Sequence, residues 1–204
     1  MSGVDAAVLI PVKGFGAAKG RLSSVLDRDQ RAGLARWLAE RVVAAAAGSP
    51  TFVACDDDDV AGWADRLGAE VLWSPGLGLN GAVDAGRSTI AGKGVEHVVI
   101  AHSDLPLATG LASLAAVDTI CLIPDRRRDG TNVLSLPTRA PLTASYGGGS
   151  FSRHLEQAMR SGLRVEVRAD PRLAIDVDTP DDLRHPSVEP LLPPWLRTIL
   201  ASPR

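Results

Sequence analysis

Val98-Val99-Ile100-Ala101-His102-Ser103-Asp104-Leu105-Pro106 is the stretch whose reading decides the fold. Four consecutive apolar residues read as a strand covered on both faces, the habit of a parallel sheet. The carboxylate of Asp104 falls just past the strand end, and Pro106 stops the run. A second stretch has the same grammar. Leu173-Ala174-Ile175 leads into Asp176-Val177-Asp178-Thr179-Pro180-Asp181-Asp182-Leu183. It reads as a last strand over 173–177 that also ends in carboxylates before a proline. If the two strand ends lie side by side, Asp104 and one of the later pair share a divalent cation. Such an ion, with basic residues around it, is what a polyphosphate needs.

Working outward, strands and helices alternate. Strands are expected at 6–12, 51–55, 70–73, 98–101, 119–123, 132–136, 165–168 and 173–177. Helices are expected at 27–47, 59–67, 80–90 and 152–160, with a short one at 109–116 and a docking helix at 195–200. Asp27 is placed to cap the first helix, with Gln30 closing a capping box, and Leu34, Leu38 and Val42 line one face. Gly162 reads as a helix C-cap. The pattern is α/β with a mostly parallel sheet. Ligands of such sheets bind beyond the carboxyl ends of the strands, where Lys13, Asp104 and Asp176 fall.

Bulk properties narrow the class. The chain has 204 residues, enough for one domain that buries roughly 70% of its unfolded surface. Hydrophobic content is 45% and charged content 23%, which marks a globular chain. A net charge of −2 argues against nucleic acid and membrane partners, so any basic site is local. Met1 to Asp5 lacks the basic start of a leader, and no run reaches membrane-spanning length. Cys55 and Cys121 sit on expected strands as small hydrophobes. Without clustered Cys and His there is no zinc pattern, and a reducing cytoplasm fits.

Several loops carry chemistry. Pro11-Val12-Lys13-Gly14-Phe15-Gly16-Ala17-Ala18-Lys19-Gly20-Arg21-Leu22 places three cations among small residues after the first strand. Backbone amides and cations so arranged offset a triphosphate, although no Walker A lysine is present. Gly76-Leu77-Gly78-Leu79-Asn80-Gly81 is a literal GxGxxG, but it follows the third strand and not the first, which weakens a dinucleotide reading. The preferred account is a turn that lets Asn80 reach a nucleotide base. Asp56-Asp57-Asp58-Asp59 reads as helix capping, not a metal site. Gly130-Thr131-Asn132 offers a hydroxyl and an amide to a phosphate or carboxylate. Tyr146-Gly147-Gly148-Gly149-Ser150-Phe151 exposes backbone amides before a helix, with Ser150 as the expected N-cap, and is an anion site by construction. His154 reads as a packing or hydrogen-bonding residue, and His102 as pointing away from Ala101. The run Arg126-Arg127-Arg128 reads as solvent-facing.

Taken in order, these motifs resemble one family, the 2-phospho-L-lactate/phosphoenolpyruvate guanylyltransferases of deazaflavin coenzyme F(420) biosynthesis. The matching pieces are 9–13, 19–22, 78–80, 104–106, 130–132, 146–151 and 176–180. The resemblance implies a single-domain, Rossmann-like nucleotidyltransferase fold of the GT-A type over residues 4–183, followed by a Pro-rich tail at 184–204. It implies Mg²⁺ held by Asp104 and Asp176, with Asp178 as a ligand or its neighbour. It implies the acid at Thr131, Gly147 and Ser150, and the triphosphate facing Lys13, Lys19 and Arg21, which with Asp104 form the catalytic set. Gly14, Lys19 and Asn80 are the implied nucleotide contacts. The implied partners are GTP, a phosphorylated three-carbon acid and a downstream transferase that takes the product. Gly20 and Gly148 stand where the family pattern has serine and proline. Three other readings stay open: a nucleotidyltransferase of this fold with a different nucleotide or acceptor, an NAD-dependent oxidoreductase built on Gly76 to Gly81, and a non-enzymatic nucleotide sensor that binds GTP without releasing pyrophosphate.

Overall fold

Six apolar residues after Asp5 form β1 (Ala6–Pro11), and every one of them is buried. Such a strand has no solvent face and must lie inside a sheet. In the computed structural model, which describes residues 5–201, it does. Val4, the start of the chain read for a leader, and the last three tail residues lie outside the described residues. The other strands are β2 (Thr51–Cys55), β3 (Glu70–Trp73), β4 (His97–Ala101), β5 (Thr119–Pro124), β6 (Thr131–Pro137) and β7 (Arg164–Val167). They form one sheet in the order β3-β2-β1-β4-β6-β5-β7. β6 pairs antiparallel with both β4 and β5, and the other pairings are parallel.

The strand period of two sorts the core. Val8 and Ile10 face one side with α1 (Arg28–Ala45) and α2 (Asp58–Arg66). Ala7 and Leu9 face the other, under α3 (Gly78–Gly92) and α4 (Ser150–Arg160). The result is a helix–sheet–helix sandwich. α3 lies close to the sheet because Gly86 has no side chain. A Cβ there would stand 3.1 Å from a Leu9 methyl and 3.3 Å from one of Leu72. No helix among the described residues is long and apolar enough to cross a membrane.

Local signals hold at several ends. Asp27 closes its capping box with Gln30, Asp57 accepts from Val60 N, and Gly162 takes a left-handed conformation just past α4. Other expectations are corrected. Residues 109–116 give only a 3-10 turn at Leu111–Leu114. Gly149, at φ 70°, is the cap of α4, and Ser150 is its first helical residue.

Leu173 to Val177 is not a sheet strand. Its backbone is held by three different segments. Arg126 N donates to Ala174 O, the Asn132 side-chain amide donates to Leu173 O, and Val177 N donates to Asp104 O. No neighbouring strand offers it a ladder. After it come α5 (Pro180–Leu183) and, at the end of the tail, α6 (Pro194–Ala201). Leu183, Val188, Leu192 and Leu196 pack with Leu22, Leu26, Leu34, Leu38, Ile175 and Val177 in a third core.

Candidate active site

The Val177–Asp104 hydrogen bond (3.2 Å) joins the two stretches singled out in the sequence. Alternation then divides the labour on the later one: Ile175 and Val177 enter the third core, while Asp176 and Asp178 line a cleft. The following turn is fixed by Asp182. Its Oδ2 accepts from Asp178 N (3.0 Å), Thr179 N (2.7 Å) and Thr179 Oγ1 (2.8 Å), and its Oδ1 pairs with Arg126. These donors outweigh burial and hold the Asp182 carboxyl below its ordinary range. Thr179-Pro180-Asp181-Asp182 is a capping box with proline at the first helical position. That local signal was there to be read in the sequence.

The basic loop after β1 folds as two 3-10 turns, Phe15–Ala17 and Gly20–Leu22, joined through Lys19. Lys19 adopts the left-handed region (φ 56°), and burial of Leu22 ties the loop to the third core. Its ammonium donates to Asp104 Oδ2 (2.6 Å) and Asp178 Oδ1 (3.1 Å), with only 9% of the side chain exposed. Burial pulls the Lys19 pKa down, but the two carboxylates outweigh it and raise it. The reverse holds at Asp104, where Lys19 overcomes burial and keeps the carboxylate ionised. Asp176 has no such partner. Burial and the neighbouring Asp104 charge push its carboxyl up to about 6.

Three depressions meet around these groups. The first, about 430 Å³, is lined by Lys13, Ala54, Cys55, Gly78, Leu79, Ala82, His102 and Ser103. The second, about 390 Å³, is lined by Arg21, Arg126, Arg127, Thr131, Gly147, Ser150, Asp176 and Asp178 among others. The third, about 290 Å³, runs from Phe15 and Lys19 to Asp104. Lys13 is shared by the first and third, and His102 by the first and second. His102 therefore faces the clefts, and its ring meets Tyr146 on the side of the sheet opposite Ala101, as the sequence reading had it. Burial keeps its imidazole below its ordinary pKa, and its Nε2 has no partner.

The remaining candidates are placed as follows. Arg21 is exposed and reaches Asp178 at 3.3 Å. Gly14 packs against Asp57, where a Cβ would stand 2.5 Å from a carboxylate oxygen. The Asn80 amide is engaged inside the protein: it accepts from Tyr146 N (2.7 Å) and donates to Tyr146 O (3.4 Å). It brackets α3 to the glycine-rich loop, which replaces the expected free reach toward a base. Thr131 and Ser150 are buried and joined, Thr131 N donating to Ser150 Oγ (3.0 Å). His154 accepts from Ser145 N at Nε2 (2.9 Å), so its protonated Nδ1 donates to Thr131 Oγ1 (2.9 Å). The amide of Gly149 is taken by Asp129 Oδ1 (3.0 Å) and that of Phe151 by Asp129 O. No local pattern announced the Asn80, His154 or Asp129 partners.

Among the described residues no group of three His, Cys, Asp or Glu side chains is gathered tightly enough to cage a metal. The donor set nevertheless suits magnesium, which is commonly held by one or two carboxylates and completed by substrate phosphates and water. Asp104 Oδ1 is buried beside the Lys19 ammonium with no hydrogen-bond partner among the described residues.

Comparison with known proteins gives the family and the fold. The family described as guanylyl transferase CofC like matches residues 6–186. A phosphoenolpyruvate guanylyltransferase of Rubrobacter xylanophilus is 39% identical over 184 residues, covering 86% of this chain and 90% of that protein. A 2-phospho-L-lactate guanylyltransferase of Methanocaldococcus jannaschii is 28% identical over 187 residues, covering 89% and 82%. In structure, a nucleotidyl transferase from Methanothermobacter superposes with a TM-score of 0.63 at 14% identity, over 96% of this chain and all of the other.

Proposed function

This chain belongs to the CofC-like guanylyl transferase family, and from that premise we propose that it transfers GMP from GTP to phosphoenolpyruvate or 2-phospho-L-lactate, releasing pyrophosphate, in coenzyme F(420) biosynthesis. The observation that carries the reading is the joint grip of Asp104 and Asp178 on one cation, the Lys19 ammonium, where the clefts meet. A site that already balances two carboxylates against a cation is built for charge-dense reactants.

A phosphate oxygen of the acid attacks the α-phosphorus of GTP. The new P–O bond forms as the α–β bridge breaks, and its electron pair leaves on pyrophosphate. The nucleophile is already an anion, so no side chain need remove a proton. That is consistent with histidines that burial keeps neutral. Lys13, Lys19 and Arg21 offset the growing charge on the leaving group. Asp104 and Asp176 would hold magnesium, with Asp178 beside them as a further ligand or as its neighbour. When bound, the ion neutralises phosphate charge and polarises the phosphoryl centre. The first cleft, with its apolar walls and Gly14 and Asn80 nearby, takes the nucleoside, and Asn80 acts on the base through the loop it braces. Thr131, Gly147 and Ser150 form the wall of the acceptor cleft. Residues 4–183 make the nucleotidyltransferase domain, and the tail from 184 braces it. The product, a reactive phosphoanhydride, passes to a downstream transferase.

The test is to incubate the protein with magnesium, GTP and each acid, and to identify products by mass spectrometry. A GMP–acid adduct with equimolar pyrophosphate is expected. Absence of pyrophosphate with either acid, or equal turnover with CTP, would overturn the assignment.

A further inference from the structure

Three adjacent arginines, 126 to 128, look interchangeable in the sequence, yet the fold gives each a different setting. Arg126 is committed to Asp182 and so to the turn that carries Asp178. Arg128 takes a left-handed backbone (φ 57°) and lays its guanidinium over the Phe151 ring at 5.1 Å. Arg127 lines the acceptor cleft, and its guanidinium has no hydrogen bond or ion pair among the described residues.

Most of the other polar groups around that cleft are engaged within the protein. Asp125 accepts from Asp129 N and Gly130 N, and Asp129 from Gly149 N. Ser150 N turns back to Gly147 O, and Thr131 N is held by Ser150 Oγ. Of the other guanidinium groups there, Arg126 is paired with Asp182 and Arg21 reaches toward Asp178. The amides that the glycine-rich loop advertises are thus largely used inside the protein. A small acid with both a phosphate and a carboxylate brings two anionic groups, and among the described residues Arg127 is the one unpaired cation that lines this wall. A guanidinium is the group that meets a carboxylate with two parallel hydrogen bonds.

Resting on the function proposed above, we propose that Arg127 binds the carboxylate of the acceptor and makes the enzyme selective for phosphorylated acids over phosphate monoesters that lack a carboxylate. The test crosses the enzyme with its acceptor. Wild type, Arg127→Gln and Arg127→Lys are assayed with GTP, magnesium, and either 2-phospho-L-lactate or its carboxamide, and likewise with phosphoenolpyruvate and its carboxamide. Arg127→Gln should raise KM for the acids by about tenfold or more, the worth of one charged hydrogen-bonded contact. KM for GTP should stay unchanged. The preference for acid over amide should collapse in the glutamine variant and survive in part with lysine. An equal preference in wild type and Arg127→Gln, or equal losses toward GTP and acid, would overturn the proposal. The experiment also separates the two readings. If folded wild type forms no product with any acceptor, the transferase assignment fails. Calorimetric titration of phosphoenolpyruvate with magnesium then decides Arg127 alone: binding weakened by Arg127→Gln upholds the contact, and equal or absent binding refutes it.

Discussion

Lys19 occupies the place between two carboxylates where a divalent cation would otherwise be attracted. The pair is short and largely desolvated, so removing the lysine leaves Asp104 as a buried charge in need of a partner. An ammonium held between these carboxylates would compete with a metal ion for them, and nucleotide phosphates would offer the lysine another partner. Lys19→Met should therefore bind Mn²⁺ more tightly than wild type without nucleotide, by about tenfold or more, and yet turn over at least about a hundredfold more slowly. Electron paramagnetic resonance titration of free Mn²⁺ reads the first effect and steady-state assay the second. Unchanged Mn²⁺ affinity would show that Lys19 is no placeholder. This residue was legible in advance because it sits in a short basic loop after a buried strand. Asn80 was not. Its polarity and glycine neighbours are local facts, but its partner Tyr146 lies far along the chain, and no spacing rule encodes that pairing. Arg126, Arg127 and Arg128 differ only in their tertiary surroundings, which the sequence of three identical residues cannot display.

At the scale of elements, β6 is the strand that stitches the site together. Thr131 holds His154 of α4, Asn132 holds the acidic segment through Leu173 O, and Ser135 is bonded by His97 of β4. Both histidines are buried and uncharged, and burial lowers each from 6.5 to about 4. His102 is pushed the same way. A histidine whose folded pKa lies below its unfolded one contributes stability that is complete above pH 6.5 and is lost as pH falls toward 4. Asp176 works in the opposite sense, since its carboxyl is raised from 3.8 to about 6 and gains a proton in the fold first. Asp104 and Asp182, both held low, titrate below this window. With His97 and His154 against one carboxyl, and His102 adding in the same direction, unfolding free energy should drop by about 2 kcal/mol or more between pH 7 and pH 5. Urea denaturation at the two pH values measures it, and stability that holds or rises on acidification would contradict the sign. The central strands could be read directly because parallel strands covered on both faces must be apolar throughout. The stretch 173–177 misled for a physical reason. Alternation reports which side chains are buried, not where the backbone hydrogen bonds go, and here they go to Arg126, Asn132 and Asp104.

Across the whole molecule, the third core is what joins the basic loop to the acidic segment. Leu22 anchors the loop of Lys19, Ile175 and Val177 anchor the carboxylates, and Val188, Leu192 and Leu196 of the tail close over them. Those three tail residues lie beyond the family match, which ends at residue 186. Leu196 falls in the docking helix expected at 195–200, whereas Val188 and Leu192 were hard to read, because closely spaced prolines hide the periodicity there. If this core sets the distance between Lys19 and Asp178, disturbing it should affect chemistry as well as stability. Leu196→Ala is compared with Ile90→Ala, which empties a similar volume under α3 in a different core. Each should cost about 2–5 kcal/mol of unfolding free energy, as truncation of a fully buried aliphatic side chain does. Assayed at a temperature where both remain folded, Leu196→Ala should lower kcat by about tenfold and weaken Mn²⁺ binding, whereas Ile90→Ala should leave both near the wild-type values. Denaturation curves establish the matched destabilisation, and kcat with Mn²⁺ titration separates the variants. If the two lose turnover in equal proportion, the tail contributes only to folding, and the spacing of the charged cluster is set by the sheet alone.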